Sequence, residues 1–170
     1  MSLYYQGHGA TLHHGDCLDV LRTLPDASVD SVVTDLAAGT AAEHLVCADL
    51  LMLGFNAFLA DQNCAYDVAV DIAGRLVRVQ VKATRQQRSI PQRAEHVPAY
   101  MWHVRRAGKG GRRVYGSGEF DLLALVALDI GRIAYLPPSL QRQTVHIRPP
   151  GAAGGKQFDD YPFRSALEAL

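Results

Sequence analysis

Residues 66–82 read Tyr66-Asp67-Val68-Ala69-Val70-Asp71-Ile72-Ala73-Gly74-Arg75-Leu76-Val77-Arg78-Val79-Gln80-Val81-Lys82, and their alternation decides the fold class. Val68, Val70 and Ile72 fall on one face of an extended segment, with Asp67, Ala69 and Asp71 on the other. Val77, Val79 and Val81 alternate in the same way with Leu76, Arg78, Gln80 and Lys82. Ala73-Gly74 between the two runs predicts a two-residue hairpin turn. Such a turn pairs Ile72 with Arg75, Val68 with Val79 and Asp67 with Gln80. Val68, Val70, Val77 and Val79 then share one apolar face, the condition that fixes register in a sheet. On the opposite face Asp67, Gln80 and Lys82 come within about 5–8 Å of one another.

A carboxylate, a second oxygen donor and a lysine on adjacent strands suit hydrolysis of a phosphodiester. Hard oxygen ligands hold Mg²⁺ or Mn²⁺, and such an ion lowers the pKa of its bound water. The ammonium orients the attacking water or stabilises charge developing on phosphate. The same three residues also suit an ordinary hairpin with a polar outer face. Asp71, on the same face as Asp67, reads as a solvated or Arg-paired carboxylate.

Outward from the hairpin, Ala41, Leu45, Ala48, Leu51 and Met52 recur at helical spacing and predict a helix over residues 40–53, stopped by Gly54. Thr40-Ala-Ala-Glu43 at its start has the form of a capping box, in which Glu43 returns a hydrogen bond to the helix N-terminus. Phe55–Ala60 is an apolar run. Residues 84–98 read as an exposed basic loop, and Tyr100–Arg106 with Arg112–Tyr115 as a second hairpin around Gly108–Gly111. Leu122–Leu128 is a continuous apolar run of the kind found in buried strands, and Ile133–Leu136 follows it. Pro137-Pro138 ends that strand, Ser139 is placed to cap a short helix, and Pro149–Gly155 is a linker to a terminal helix. Towards the N-terminus, His13–Leu24 reads as the start of a short helix, Ala27–Asp30 as a turn and Ser31–Asp35 as a brief strand. Tyr100 and Trp102 are open to two roles, stacking on bases or filling the core; Cys47 and Cys64 read as small core residues.

The chain has 170 residues, 48% of them hydrophobic and 20% charged, an ordinary globular composition. No apolar run approaches the roughly 20 residues that span a bilayer, and residues 1–9 lack the pattern of a signal peptide. Three cysteines without a C-x-x-C pair argue against a disulfide framework. The expected location is therefore the cytoplasm. The net charge of zero conceals a segregation: residues 1–74 carry one basic and ten acidic residues, residues 75–113 eleven basic and one acidic. Charge acts locally, so the basic segment is a candidate nucleic-acid footprint, the plainer alternative being a solvated basic surface.

Glu43 in the predicted helix, Tyr66-Asp67-Val-Ala-Val-Asp71, and Arg78-Val-Gln80-Val-Lys82-Ala-Thr together resemble the PD-(D/E)xK nuclease pattern. Tyr115-Gly-Ser-Gly-Glu-Phe-Asp121 and Ile133-Ala-Tyr-Leu-Pro137 are similar to the branch of that superfamily holding archaeal Holliday-junction resolvases and an intron-encoded homing endonuclease. The resemblance covers about residues 38–140 and implies an α/β fold, a restriction-endonuclease-like core with a mixed β-sheet flanked by helices. It implies Glu43 and Asp67 as acidic metal ligands, the Val81 carbonyl as a backbone ligand, Gln80 in the catalytic set and Lys82 as the catalytic lysine. Gln80 stands where most of the superfamily has Glu or Asp, and the homing-endonuclease branch resembles this chain in having Gln there. The implied cofactor is Mg²⁺, with Mn²⁺ as a substitute. The implied activity is endonucleolytic cleavage of double-stranded or branched DNA, with a catalytically inactive DNA-binding module as the alternative. Arg78, Arg85, Arg88 and Arg93 are the candidate phosphate contacts. A homodimer or higher oligomer is expected by analogy, because cutting both strands takes two sites.

The stretch Leu12-His-His-Gly-Asp16 to Val32-Val-Thr-Asp35 resembles the start of an amino-group DNA methyltransferase, but Leu36-Ala-Ala-Gly39 replaces the Pro-Pro-Tyr that follows the Asp in that family. The expected organisation is a leader over residues 1–37, a nuclease core over 38–148, and a linker with a C-terminal helix over 149–170.

Overall fold

In a computed structural model, the residues described are 2–7, 10–14, 20, 22–25, 36–61, 63–88, 98–108, 111–113, 115–116, 118–140 and 143–170. They fall into two compact units, Met1–Thr34 and Asp35–Leu170. In the first unit, β1 (Ser2–Gly7) pairs antiparallel with β2 (Ala10–His14). His13 and His14 therefore end a strand and do not open a helix; the alternative pairing with Leu3 and Ser2 supplies their backbone partners. The expected turn at Ala27–Asp30 and strand at Ser31–Asp35 lie outside the described residues.

The second unit is built on a five-stranded mixed sheet. Its strands are β3 (Asn56–Leu59), β4 (Val68–Ile72), β5 (Arg75–Thr84), β9 (Leu122–Ala127) and β10 (Arg132–Leu136), in the spatial order β10-β9-β5-β4-β3. β5 and β9 run parallel, and the other neighbours are antiparallel. The β4–β5 register is the expected one, with Ile72 opposite Arg75 and Val68 opposite Val79. Ala73 and Gly74 both have positive φ, 51° and 83°, which is the primed turn that a two-residue hairpin prefers. Asp71 accepts a hydrogen bond from the Gly74 amide at 2.9 Å, so this carboxylate caps its own turn.

One face of the sheet is covered by α1 (Leu36–Met52). Ala42, Val46 and Leu50, four residues apart, are fully buried against Val68, Val70, Val77 and Val79. Burying each such aliphatic side chain contributes about 1.5–3 kcal/mol. The helix starts four residues earlier than expected, which puts Thr40 and Glu43 in its interior and removes the capping-box role. It ends as expected: Gly54 has φ 88°, and the Phe55 amide reaches back to the Leu50 carbonyl at 3.0 Å.

The opposite face carries a two-stranded ribbon of β6 (Tyr100–His103) and β11 (Thr144–Ile147). β9 is buried along its whole length because Leu122, Ala124 and Val126 face α1 while Leu123, Leu125 and Ala127 face the ribbon. Tyr100 and Trp102 are 0% and 2% exposed, and the Trp102 indole N–H donates to the Val126 carbonyl, so both are core residues. The expected second hairpin is shorter than its sequence pattern. Tyr100–His103 leaves it to pair with β11, and only β7 (Arg106–Gly108) and β8 (Gly111–Arg113) remain as the hairpin. Residues 149–170 return to the same cores, with Phe158 packing under the ribbon and Phe163 of α2 (Phe163–Glu168) packing against Phe55 and Tyr135.

Ala73 is the one described non-glycine residue with positive φ. A left-handed alanine costs about 1–2 kcal/mol, and asparagine tolerates that region. Ala73→Asn is expected to raise the melting temperature by roughly 2–4 °C without changing the register, as read by calorimetry.

Candidate active site

β5 runs on to Thr84 after β4 has begun, so beyond Val79 its backbone has no β4 residue to pair with. Asp67, the residue just before β4, fills that gap. Its own amide donates to the Val79 carbonyl at 3.0 Å, and its carboxylate oxygen Oδ2 accepts from the Val81 amide at 2.6 Å. The Gln80 side-chain NH₂ donates to the same carboxylate oxygen and lies 3.3 Å from the Val81 carbonyl. Asp67, Gln80 and Lys82 therefore meet on one face, as the register requires.

From the other side, α1 brings Glu43 to the same cleft, one turn beyond Ala38 and Gly39, which also line it. The cleft holds about 570 Å³ and is bounded by Glu43, Asp67, Gln80, Lys82, Arg85 and Arg88 among others. Burial pushes the Asp67 carboxyl above its ordinary value, opposed by the Val81 amide, the Lys82 ammonium and the Gln80 amide. Burial also raises Glu43, and the charge of Asp67 raises it further, while His44 and Lys82 pull it down. Two carboxylates that repel each other in a partly desolvated cleft attract a cation. The Val81 carbonyl adds a third hard oxygen donor of the kind that fits Mg²⁺ or Mn²⁺, and the Gln80 NH₂ bridges it to Asp67. Among the described residues no three His, Cys, Asp or Glu side chains form a metal-binding group, so the fit rests on this mixed set.

Several side chains outside the expected set shape the cleft. Tyr115 lies with its ring 5.2 Å from the Lys82 ammonium, held edge-on by Phe120 at 5.0 Å. Tyr135 on β10 donates to Asp49 at 2.6 Å, pinning the helix that carries Glu43; burial holds the Tyr135 phenol far above its ordinary range. Each lies remote in sequence from its partner, so no local pattern reveals it. Arg78, expected at phosphate, is committed elsewhere. Its guanidinium meets Asp121 at 2.9 and 3.0 Å and the Gly118 carbonyl at 2.7 Å, where β5 and β9 begin to pair. The hydrogen bond from Arg78 holds the Asp121 carboxyl below its ordinary value. Arg85 and Arg88 are exposed at the cleft, and Arg88 is bridged through its backbone to Ala99. Arg93 lies outside the described residues. Cys47 and Cys64 are half-buried free thiols, and Cys47 packs on the helix-side core.

An acid on a flanking helix, an acid at the mouth of a hairpin and a lysine on its second strand, all on one mixed sheet, define a nuclease core. Residues 34–158 match the PD-(D/E)XK endonuclease family, and the chain belongs to that family. The solved structure of a bacterial homing endonuclease, I-Ssp6803I, is similar in fold, with a TM-score of 0.61 at 17% sequence identity over 80% of this chain and 93% of that one. No curated protein matches the chain in sequence.

A carboxyl raised by folding binds its proton more tightly in the folded than in the unfolded state. In EDTA, stability therefore rises as pH falls from neutral through the folded value, which lies above the usual 3.8 for Asp67. Asp67→Asn removes the buried charge and keeps an acceptor for the Val81 amide. At neutral pH in EDTA it is expected to stabilise the protein by ~1 kcal/mol, about 2–4 °C in melting temperature, with a flatter pH dependence. A melting temperature below that of wild type would show that the bonds of the ionised carboxylate outweigh its burial.

Proposed function

We propose that the chain is a metal-dependent DNA endonuclease acting on double-stranded or branched DNA, of homing or junction-resolving type. The observation that carries this reading is the meeting of Glu43, Asp67, Gln80 and Lys82 in one cleft lined on its rim by Arg85 and Arg88. Glu43, Asp67 and the Val81 carbonyl would hold Mg²⁺, with Mn²⁺ as a substitute. The ion, when bound, supplies charge neutralisation at the phosphate and a more acidic water.

The chain's own residues do the rest. Asp67, fixed by two donors, presents its remaining oxygen to the cleft. Gln80 ties the Asp67 carboxylate to the Val81 carbonyl, so the two groups are held as a pair. Lys82, beside the Tyr115 ring, directs its ammonium charge at the attacking water and the phosphate oxygens, where negative charge develops as the P–O bond breaks. Arg85 and Arg88, with Arg93, contact flanking phosphates; Arg78 stays with Asp121 and drops out of the set we propose. Two copies serve the two strands, as a homodimer or higher homo-oligomer. We place this activity in the cytoplasm; among the described residues no helix is long and apolar enough to cross a membrane. Residues 38–148 are the proposed catalytic core, followed by the linker and C-terminal helix over 149–170. Residues 1–37 are proposed as a leader shared with a methyltransferase reading frame, so removal of residues 1–36 should leave cleavage unchanged.

The reading is tested by cleavage of supercoiled plasmid and branched DNA with Mg²⁺, Mn²⁺ or EDTA. Wild type is expected to cut only with metal, and Asp67→Ala and Lys82→Ala to lose at least ~100-fold. Binding of duplex without cutting, and without Mn²⁺ binding by calorimetry, would leave the inactive DNA-binding module. The arginines separate by salt dependence: Arg85→Ala should reduce the slope of log affinity against log salt by about 1. Arg78→Ala should leave the slope unchanged and lower the melting temperature instead, through loss of the Asp121 pair.

A further inference from the structure

The β7–β8 hairpin carries a concentrated positive charge in the sequence. Arg105, Arg106, Lys109, Arg112 and Arg113 lie within nine residues, and no acidic residue occurs between Glu95 and Glu119. The chain has as many acidic as basic residues overall, so their exclusion here is local. The register places Arg106 directly opposite Arg113, with Ala107 opposite Arg112 and Gly108 opposite Gly111. Like charges directly opposite each other destabilise a ribbon, and a ribbon of three pairs has little stability to spare. A polyanion lying against the ribbon offsets that repulsion.

The hairpin is also rooted at the cleft. Tyr115, whose ring touches the Lys82 ammonium, follows Arg113 by two residues. At most about 7 Å of extended chain separates their Cα atoms. The end of β8 therefore lies close to Lys82, within reach of a duplex whose phosphate sits there. Between Arg106 and Arg112 the sequence is Ala107, Gly108, Lys109, Gly110 and Gly111, alanine or glycine at every position but Lys109. A B-DNA major groove, about 12 Å wide, admits a two-stranded ribbon, whereas a minor groove of about 6 Å does not.

We propose that β7 and β8 form a DNA-binding ribbon that enters the major groove of duplex DNA next to the scissile phosphate. This rests on the nuclease reading above and adds the element that engages the duplex. Arg106, Arg112 and Arg113 supply contacts to phosphates and groove edges, and Gly108 and Gly111 at the strand ends allow close approach.

The test is fluorescence anisotropy with a short mixed-sequence duplex and the full chain in EDTA, over roughly 50–200 mM salt. The triple variant Arg106→Gln, Arg112→Gln, Arg113→Gln is expected to bind at least ~30-fold more weakly, with a salt slope shallower by about 2–3. The matching triple Lys variant, which keeps the charge, should stay within about threefold of wild type, and so separates lost charge from lost folding. Methyl green, a major-groove dye, should displace the protein, and netropsin, a minor-groove ligand, should not. A Gln variant that binds with wild-type affinity and slope, or displacement by netropsin alone, overturns the ribbon while leaving the nuclease reading intact. A wild-type chain that binds no duplex at all, and cuts none with metal, overturns both.

Discussion

The candidate site depends on one hydrogen bond, from the Val81 amide to the Asp67 carboxylate. β5 is twice as long as the strand it pairs with, and a strand that outruns its neighbour leaves backbone donors without partners. Val81 is the first such donor inside the fold, its side chain sunk in the helix-side core. A carboxylate at this point satisfies the amide and forms the floor of a cleft. The cleft thus exists because the two strands of the hairpin are unequal. The ionised carboxylate it holds is partly withdrawn from water, and that is why its proton affinity is raised although three groups around it favour the charge.

The second acid reaches the cleft on a rigid lever. α1 is held along its buried stripe by Ala42, Val46 and Leu50, at Asp49 by the Tyr135 hydroxyl, and near its end by Phe55 against Phe163. Those three restraints come from separate segments, the valines of the hairpin, Tyr135 and Phe163, and fix the rotation of the helix as well as its position. Glu43 can then face Asp67 despite their repulsion, since turning away would unseat the core. Lys82 is restrained in a comparable way by the Tyr115 ring, so the two acids and the lysine are each set by contacts outside the cleft.

The hairpin was legible in the sequence because strict alternation and a two-residue turn leave one register that buries the valines. β9 was legible for a simpler reason: an unbroken apolar run requires cover on both faces, and it has it. The start of α1 was not legible, because Gly39 beside three short residues reads as loop until the cleft is seen to take it. β6 and β11 pair across more than forty residues, Tyr100 with Ile147, and four alternating residues beside a proline-rich segment carry no sign of so distant a partner. Arg78 misled for a related reason. A basic residue in a basic stretch suggests a polyanion, but its actual anion, Asp121, lies 43 positions away. Sequence pattern reports local periodicity well and the long-range consumption of charge poorly.

Gln80 shows how the site balances these demands. It is the one polar residue among the described buried set, at 7% exposure, and it sits against a carboxylate already short of water. An ionised acid there would add a third negative charge beside Asp67 and Glu43, each of which folding already drives towards its proton. The amide instead donates to Asp67 and helps keep that carboxylate ionised, as its lowering effect on the proton affinity shows. The consequence is a weaker electrostatic pull on positive charge, with two carboxylates where a third was available, and a donor that favours the ionised form of Asp67 against its burial. A buried strand that can hold only so much charge therefore favours a neutral donor at this position, and the departure from the common acidic residue follows from the same burial that makes the cleft.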